Sequence, residues 1–175
     1  MNTRVALTFS IALLLGLVSV ANAQLKAGSP EDEAYTKIAA EKSPDAKLAL
    51  LLEFEKKFPT THNKTLATIY MMAMDIYSEK NETAKIAEYG DKAITKDPDN
   101  VSALLRVSRN YSAEKTNLAK AVEYAEKAKT ILGGMKSQPP PTGQTEAEWK
   151  AWIEANTSSA DSYASYAKML QGLSR

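Results

Sequence analysis

Apolar residues recur at spacings of three and four along most of the chain, which is the pattern of amphipathic helices. No alternating run rich in Val, Ile or Thr lies between turn residues, so the pattern predicts no strands. The spacing predicts helices over about 30–42, 44–59, 64–79, 82–96, 100–113 and 117–132, with further helix after residue 145. The sequence therefore predicts an all-α fold.

Cap signals mark the beginnings of three of these helices. Ser29-Pro30 and Ser43-Pro44 each combine an N-cap serine with a proline at the first helical position. Thr145 and Glu148 match a capping box, in which each residue satisfies a free backbone N–H of the other. Helices are predicted to begin at each of these positions.

Helix breakers divide the C-terminal part of the chain. Gly133-Gly134 predicts the end of the sixth helix. The Pro-rich stretch 136–144 predicts an extended connector between a repetitive helical region at 24–135 and a C-terminal helix or partial repeat at 145–175. Two arrangements of that last region stay open: one continuous helix, or two helices divided near 157–159.

The first 23 residues have the pattern of a secretory signal peptide. Arg4 precedes an apolar run at 5–20, and Ala21-Asn22-Ala23 matches an A-x-A cleavage site. The alternative is a retained membrane anchor, but the run is shorter than the roughly 20 residues of a spanning helix. No Cys follows the run, so a lipoprotein is not predicted. We expect a soluble exported protein, periplasmic or secreted, with no integral membrane segment after cleavage of 1–23.

Comparison of the chain with itself reveals an internal repeat. Residues 87–93 (Ala-Glu-Tyr-Gly-Asp-Lys-Ala) align with 122–128 (Val-Glu-Tyr-Ala-Glu-Lys-Ala) at an offset of 35. The preceding helices align through Tyr77 and Tyr111 at an offset of 34. We attribute the difference of one residue to a longer turn over 113–117.

Helix pairs that recur every 34 residues resemble the tetratricopeptide repeat (TPR) family, most clearly over 67–133. The residues that match its pattern are Tyr70, Ala73, Met74, Tyr77, Ile86, Tyr89 or Gly90, Ala93 and Pro98, then Leu104, Val107, Ser108, Tyr111, Ala121, Tyr124 or Ala125, Ala128 and Gly133. Met74 and Ile86 are larger than the family's residues there, and Gly133 replaces its closing Pro. The resemblance implies an α-solenoid of antiparallel helix pairs, with about two clear repeats and degenerate flanking helices.

The resemblance also implies a concave groove lined by the first helix of each pair. The groove positions of the family correspond here to Thr68, Met71, Asp75, Ser78, Ser102, Leu105, Arg109 and Ser112. Met71 and Leu105 favour an apolar groove for an extended segment or a partner helix over a carboxylate clamp. Alternatively, these two side chains pack on the next helix. We expect an exported, non-enzymatic protein–protein interaction module whose protein or peptide partner binds in the groove.

The C-terminal helix suggests a second function. Trp149 and Trp152 lie three residues apart and are candidate docking anchors. The chain would then be a structural subunit of a cell-envelope assembly. Alternatively, the pair attaches the terminal helix to the rest of the fold. Apolar surface left on a last helix without a partner also predicts a homodimer.

Composition narrows the function further. The chain has 22 Lys and Arg against 21 Asp and Glu, so it lacks the basic excess of a nucleic-acid-binding protein. The absence of Cys excludes a disulfide, a thiolate nucleophile and a Cys-based zinc site. One histidine, His62, cannot build a His-based metal site, and we expect it in a solvated turn. We expect no catalytic, cofactor or metal site, and an enzyme stays a remote alternative.

Overall fold

The computed structural model describes residues 25–173, and this range forms seven α-helices and contains no strand. The helices are α1 (Pro30–Ala40), α2 (Pro44–Lys57), α3 (Asn63–Glu79), α4 (Thr83–Lys96), α5 (Val101–Ala113), α6 (Leu118–Met135) and α7 (Glu146–Leu173). The all-α prediction is confirmed for this range. The signal peptide predicted at 1–23 lies outside the described residues.

Side-chain caps fix the beginnings of the first two helices. The Ser29 Oγ accepts a hydrogen bond from the N–H of Asp32 at 3.2 Å. The Ser43 Oγ accepts one from the N–H of Ala46 at 3.5 Å. Each serine thereby satisfies one of the free N–H groups of its helix, and the prediction from the Ser-Pro pairs is confirmed.

The capping box of α7 is also present. The Glu148 N–H donates to the Thr145 Oγ1 at 3.2 Å, and the Thr145 N–H donates to the Glu148 Oε2 at 2.9 Å. From there α7 runs as one helix, which decides between the two open arrangements. The hydroxyls of Thr157 and Ser159 donate to carbonyls four residues earlier, so these residues are accommodated without a break.

The predicted end of the sixth helix at Gly133-Gly134 is wrong, because α6 continues through both glycines to Met135. Neither glycine adopts the positive φ of a left-handed C-cap. Leu132 is fully buried and Met135 packs against the core. Tertiary packing of this last turn therefore outweighs the cost of about 1 kcal/mol for each helical glycine.

The α3–α4 and α5–α6 connections have the same geometry. At equivalent positions each connection has a left-handed residue, Asn81 with φ 58° and Lys115 with φ 54°. In both turns the next N–H donates to a carbonyl five residues earlier at 2.9 Å, from Glu82 to Tyr77 and from Thr116 to Tyr111. This is a Schellman motif, and it recurs at the offset of 34.

The one-residue difference between the two offsets lies in the second turn. α4 begins at Thr83, directly after its Schellman motif, whereas α6 begins at Leu118, after one additional residue. That additional residue is Asn117, which is itself left-handed with φ 44°. The prediction of a longer turn over 113–117 is confirmed.

Each helix packs on its neighbours in the chain, and α7 contacts both α6 and α5. The hydrophobic core runs through all seven helices, from Ile38 in α1 to Ala167 in α7. The closest crossing that a glycine permits lies at Gly90 of α4. A Cβ at Gly90 would lie 2.1 Å from the Val107 Cγ2 and 3.0 Å from the Met74 Sδ. Only glycine lets α4 approach α3 and α5 this closely.

No helix within residues 25–173 combines the length and the apolarity that a membrane crossing requires. α7 is the longest helix at 28 residues. It carries charged and polar side chains along its length, among them Asp161 and Lys168.

Candidate functional site

A cleft of about 150 Å³ opens between α5 and α7. It is lined by Ser102, Leu105, Arg106, Arg109, Asn156, Ser159 and Tyr163. Three of the eight predicted groove residues, Ser102, Leu105 and Arg109, lie together here. The cleft therefore brings together three of the four predicted groove residues on α5.

Two of the predicted groove residues in α5 are not available at the surface. Leu105 is 5% exposed and belongs to the core, as expected for the alternative in which it packs on neighbouring helices. Ser112 is 2% exposed, and its hydroxyl donates to the carbonyl of Ser108 at 2.9 Å. Neither side chain offers a free group to a ligand.

The predicted groove residues in α3 are more accessible. Thr68 is half-buried, and its hydroxyl donates to the carbonyl of Lys64 at 2.9 Å. Met71 is also half-buried and packs against the core. Asp75 and Ser78 are exposed. This side of the predicted groove offers one partly accessible apolar side chain and a carboxylate.

One ion pair joins the two halves of the predicted groove. The Asp75 Oδ1 in α3 lies 2.5 Å from the Arg106 Nη2 in α5. The repeat pattern predicts Asp75 at the groove, but no signal in the sequence singles out Arg106. The repeat pattern gives the face of each helix, whereas a contact between α3 and α5 depends on how the two hairpins lie against each other.

The α7 wall of the cleft was largely missed by the sequence analysis. Asn156, Ser159 and Tyr163 lie on this wall. In this segment the sequence indicated a possible break at 157–159. The spacing of these three side chains along one helix face was a signal, but nothing in the sequence paired that face with α5.

A second cluster that the sequence analysis missed surrounds Asp91. Its carboxylate accepts hydrogen bonds from the hydroxyls of Tyr111 at 2.7 Å and Tyr124 at 3.1 Å, and from the Lys120 Nζ at 3.0 Å. Burial and the adjacent Asp91 carboxylate raise the pKa of Tyr111. The same two causes raise the pKa of Tyr124. The cluster ties α4 to α5 and α6.

The corresponding cluster nearer the N-terminus centres on Lys92. Its Nζ lies 3.0 Å from the Glu55 Oε1 and 4.4 Å from the centre of the Tyr89 ring. Burial lowers the pKa of Lys92, but the hydrogen bond and charge of Glu55, together with Tyr89 and Glu88, outweigh burial, so the pKa is raised. Burial raises the pKa of Tyr89 to about 12. Both clusters hold helices together.

The candidate docking anchors form a parallel stack. The ring centres of Trp149 and Trp152 lie 5.1 Å apart with an interplanar angle of 6°. Both side chains are half-buried and pack against the core. The Trp149 Nε1 is buried and has no hydrogen-bond partner among the described residues. This geometry favours attachment of α7 to the fold over docking of a partner.

His62 has a structural role. It is the N-cap of α3, and its Nδ1 accepts a hydrogen bond from the N–H of Lys64 at 3.3 Å. The side chain is exposed, and no group of three His, Cys, Asp or Glu residues suited to a metal occurs within residues 25–173.

Comparison with known proteins finds no match, either among family models or among curated sequences. The TPR resemblance therefore stays a prediction that rests on the offsets of 34 and 35. The candidate site likewise rests on this chain's own geometry.

Proposed function

We propose that this protein is a small exported TPR-like α-solenoid that binds a protein segment along α3, α5 and α7. The observation that carries the proposal is the recurrence of one hairpin geometry. The α3–α4 and α5–α6 hairpins share a Schellman turn at an offset of 34, and α7 lies against α5 beside the cleft. Repeats of this kind present such surfaces to extended partners.

Bridges between successive units support the solenoid part of the proposal. A carboxylate on each even-numbered helix from α2 to α6 binds a lysine on a later helix. These pairs are Glu55 with Lys92 at 3.0 Å, Asp91 with Lys120 at 3.0 Å, and Glu126 with Lys168 at 2.7 Å. The acidic residues stand 36 and 35 positions apart, close to the repeat length, whereas their lysine partners stand 28 and 48 positions apart.

The proposed binding surface combines apolar and charged groups. Met71 supplies partly accessible apolar area, and Arg109 supplies a guanidinium at the cleft. Methionine adapts to varied partners because its side chain is flexible and polarizable. An extended segment with one apolar and one anionic side chain matches this surface.

The binding surface is tested by photo-crosslinking and capture. A crosslinking residue at Ser102 should react with a single partner in cell-envelope extract, whereas one at Leu52 should not. The variant Met71→Glu with Arg109→Glu should lower capture of that partner at least tenfold. The matched control is Leu52→Glu with Lys136→Glu, which makes the same chemical changes at exposed positions of α2 and the connector.

Equal capture by both double variants, with unchanged urea unfolding curves, would contradict the proposed surface. Leu105 is unsuitable for this test because a glutamate there would place a charge in the core. Export is tested separately by intact mass of the native protein, which should begin at Gln24. Retention of residues 1–23 would contradict the proposed signal peptide.

A second candidate function is a structural subunit that docks by α7. Tyr166 is 44% exposed and Met169 is 52% exposed, and the two residues lie three apart on α7. Tyr166→Ser with Met169→Ser should release the protein from an assembly, or dissociate a homodimer in sedimentation. The double variant Trp149→Phe with Trp152→Phe should leave that association unchanged while it lowers stability.

A further inference from the structure

The α5–α7 cleft has an unbalanced set of charges. Its lining includes two guanidinium groups, from Arg106 and Arg109, and no carboxylate. Arg106 is neutralised by Asp75 at 2.5 Å. Arg109 forms no ion pair or hydrogen bond with any residue in 25–173. The cleft therefore carries one positive charge that the described part of the chain does not balance.

Neutral hydrogen-bond donors stand beside this charge. The hydroxyls of Ser102 on α5 and Tyr163 on α7 also have no partner within the described range. By contrast, Asn156 and Ser159 donate to backbone carbonyls of α7 itself. The free donors thus come from both walls of the cleft, and they include a guanidinium whose planar N–H groups suit a bidentate oxyanion.

The size of the cleft limits what it holds. The cleft has a volume of about 150 Å³. This is below the range of roughly 300–1,000 Å³ typical of whole small-molecule sites. The cleft therefore suits the anionic group of a ligand, with the remainder of that ligand outside it.

We infer that the α5–α7 cleft binds an oxyanion, a carboxylate or a phosphate group, with Arg109 as the main ligand and the Ser102 and Tyr163 hydroxyls as supporting donors. The inference deepens the proposed function and rests on it only for the source of the anion. A partner segment would supply the group from an acidic or phosphorylated side chain. A free phosphate or small carboxylic acid would bind the same donors.

The test is a titration of the purified chain with inorganic phosphate and, separately, with acetate, followed by NMR. Ionic strength is held constant with chloride, because surface charges are screened by salt. The Nε–H signal of Arg109 and the amide signals around Tyr163 should shift and saturate in the millimolar range. Saturation with either anion supports the inference, and the anion that binds more tightly identifies the preferred group as phosphate or carboxylate.

Variants distinguish anion binding at the cleft from a general attraction of anions to the charge of the protein. Arg109→Gln should weaken binding at least tenfold, and Tyr163→Phe should weaken it a few-fold. The affinity of Arg109→Lys should lie between those of wild type and Arg109→Gln. Lysine keeps the positive charge but lacks the planar N–H groups of the guanidinium that bind an oxyanion in pairs. Lys136→Gln removes the same charge from an exposed position outside the cleft and should bind as wild type.

Two outcomes overturn the inference: shifts that do not saturate with either anion, or equal affinity in wild type and Arg109→Gln. Because Arg109 is exposed and makes no contact that holds the fold, the variant should stay folded. Anion binding without capture of a protein partner would contradict the proposed function and leave this site intact. Capture of a protein partner without anion binding would contradict the anion site and leave the proposed function intact.

Discussion

The α3–α4 and α5–α6 hairpins share their turn geometry but fill their interiors differently. In the first hairpin, the buried Met74 lies against Gly90. In the second, Ser108 occupies the equivalent position, and its hydroxyl donates to the carbonyl of Ala121 at 2.7 Å. The two helices of each hairpin therefore cross with different contacts. In the first hairpin a large side chain packs against glycine, and in the second a small side chain forms a hydrogen bond. The repeat fixes the helix positions, and the pairing of side-chain sizes adjusts the contact.

The equivalent positions 74 and 108 should differ most in mutational cost. Met74→Ala should lower the free energy of unfolding by about 3 kcal/mol, because it leaves a cavity beside Gly90. Ser108→Ala should cost about 1 kcal/mol, the value of one hydrogen bond, since it removes little volume. Urea unfolding of both variants measures the difference. Equal costs would show that the two interiors are packed alike.

Gly90 should be the least tolerant small residue of the first hairpin. Gly90→Ala should cost about 2 kcal/mol, because its Cβ overlaps the Val107 side chain, despite the better helix propensity of alanine. The change should cost less in a Val107→Ala background, where that overlap is removed. If the free-energy changes of Gly90→Ala and Val107→Ala simply add, the cost of Gly90→Ala does not come from overlap with Val107. At the equivalent position of the second hairpin, Ala125→Gly should cost about 1 kcal/mol from propensity alone.

The equivalent tyrosines Tyr77 and Tyr111 should also differ. Tyr111→Phe should cost about 1.5 kcal/mol, because the hydroxyl donates to the charged Asp91 carboxylate at 2.7 Å. Tyr77→Phe should change stability by less than about 0.5 kcal/mol, since its hydroxyl forms no hydrogen bond within the described residues. Chemical unfolding at neutral pH compares the two.

Alkaline pH sharpens this comparison. The pKa of Tyr111 is raised in the folded state by burial and by Asp91, while the unfolded chain ionises near the ordinary value of about 10. Above that pH the unfolded state holds fewer protons, so the free energy of unfolding falls as pH rises. Tyr111→Phe should flatten this fall, and Tyr77→Phe should not. A larger flattening by Tyr77→Phe than by Tyr111→Phe would contradict the role assigned to Asp91.

The equivalent left-handed residues Asn81 and Lys115 should give the smallest effects. Asparagine tolerates this conformation better than lysine, so Asn81 is the better adapted of the two. Lys115→Asn should stabilise the second hairpin by about 0.5 kcal/mol, and Asn81→Lys should destabilise the first by a similar amount. Thermal unfolding of both exchanges resolves the sign. Effects of the same sign would mean that the turns are not equivalent.

Local signals explain what the sequence predicted well. Ser29, Ser43 and Thr145 act through backbone groups within a few residues, so their caps follow from adjacent residue types. The extra residue in the second turn followed from the change of offset. Gly133 and Gly134 misled the prediction because their local preference was overruled by Leu132, whose burial depends on other helices.

The candidate site was only half predictable for the same reason. The family pattern placed Ser102 and Arg109 on one surface, and both line the cleft. It could not show that Leu105 is buried or that Tyr163 lines the same cleft as Arg109, since both depend on where α7 packs. Asp91 was overlooked because its three donors come from two later helices.

The order of helix contacts has a consequence for how the molecule opens. α1 packs mainly on α2, whereas α5 contacts α4, α6 and α7. Contacts between elements close in sequence form with little loss of chain entropy, so folding should be rapid and can begin in either hairpin. Opening should start at α1, and its amide hydrogens should exchange with solvent long before those of α5. Such local opening would leave the α5–α7 cleft assembled while the N-terminal end of the molecule unfolds and refolds.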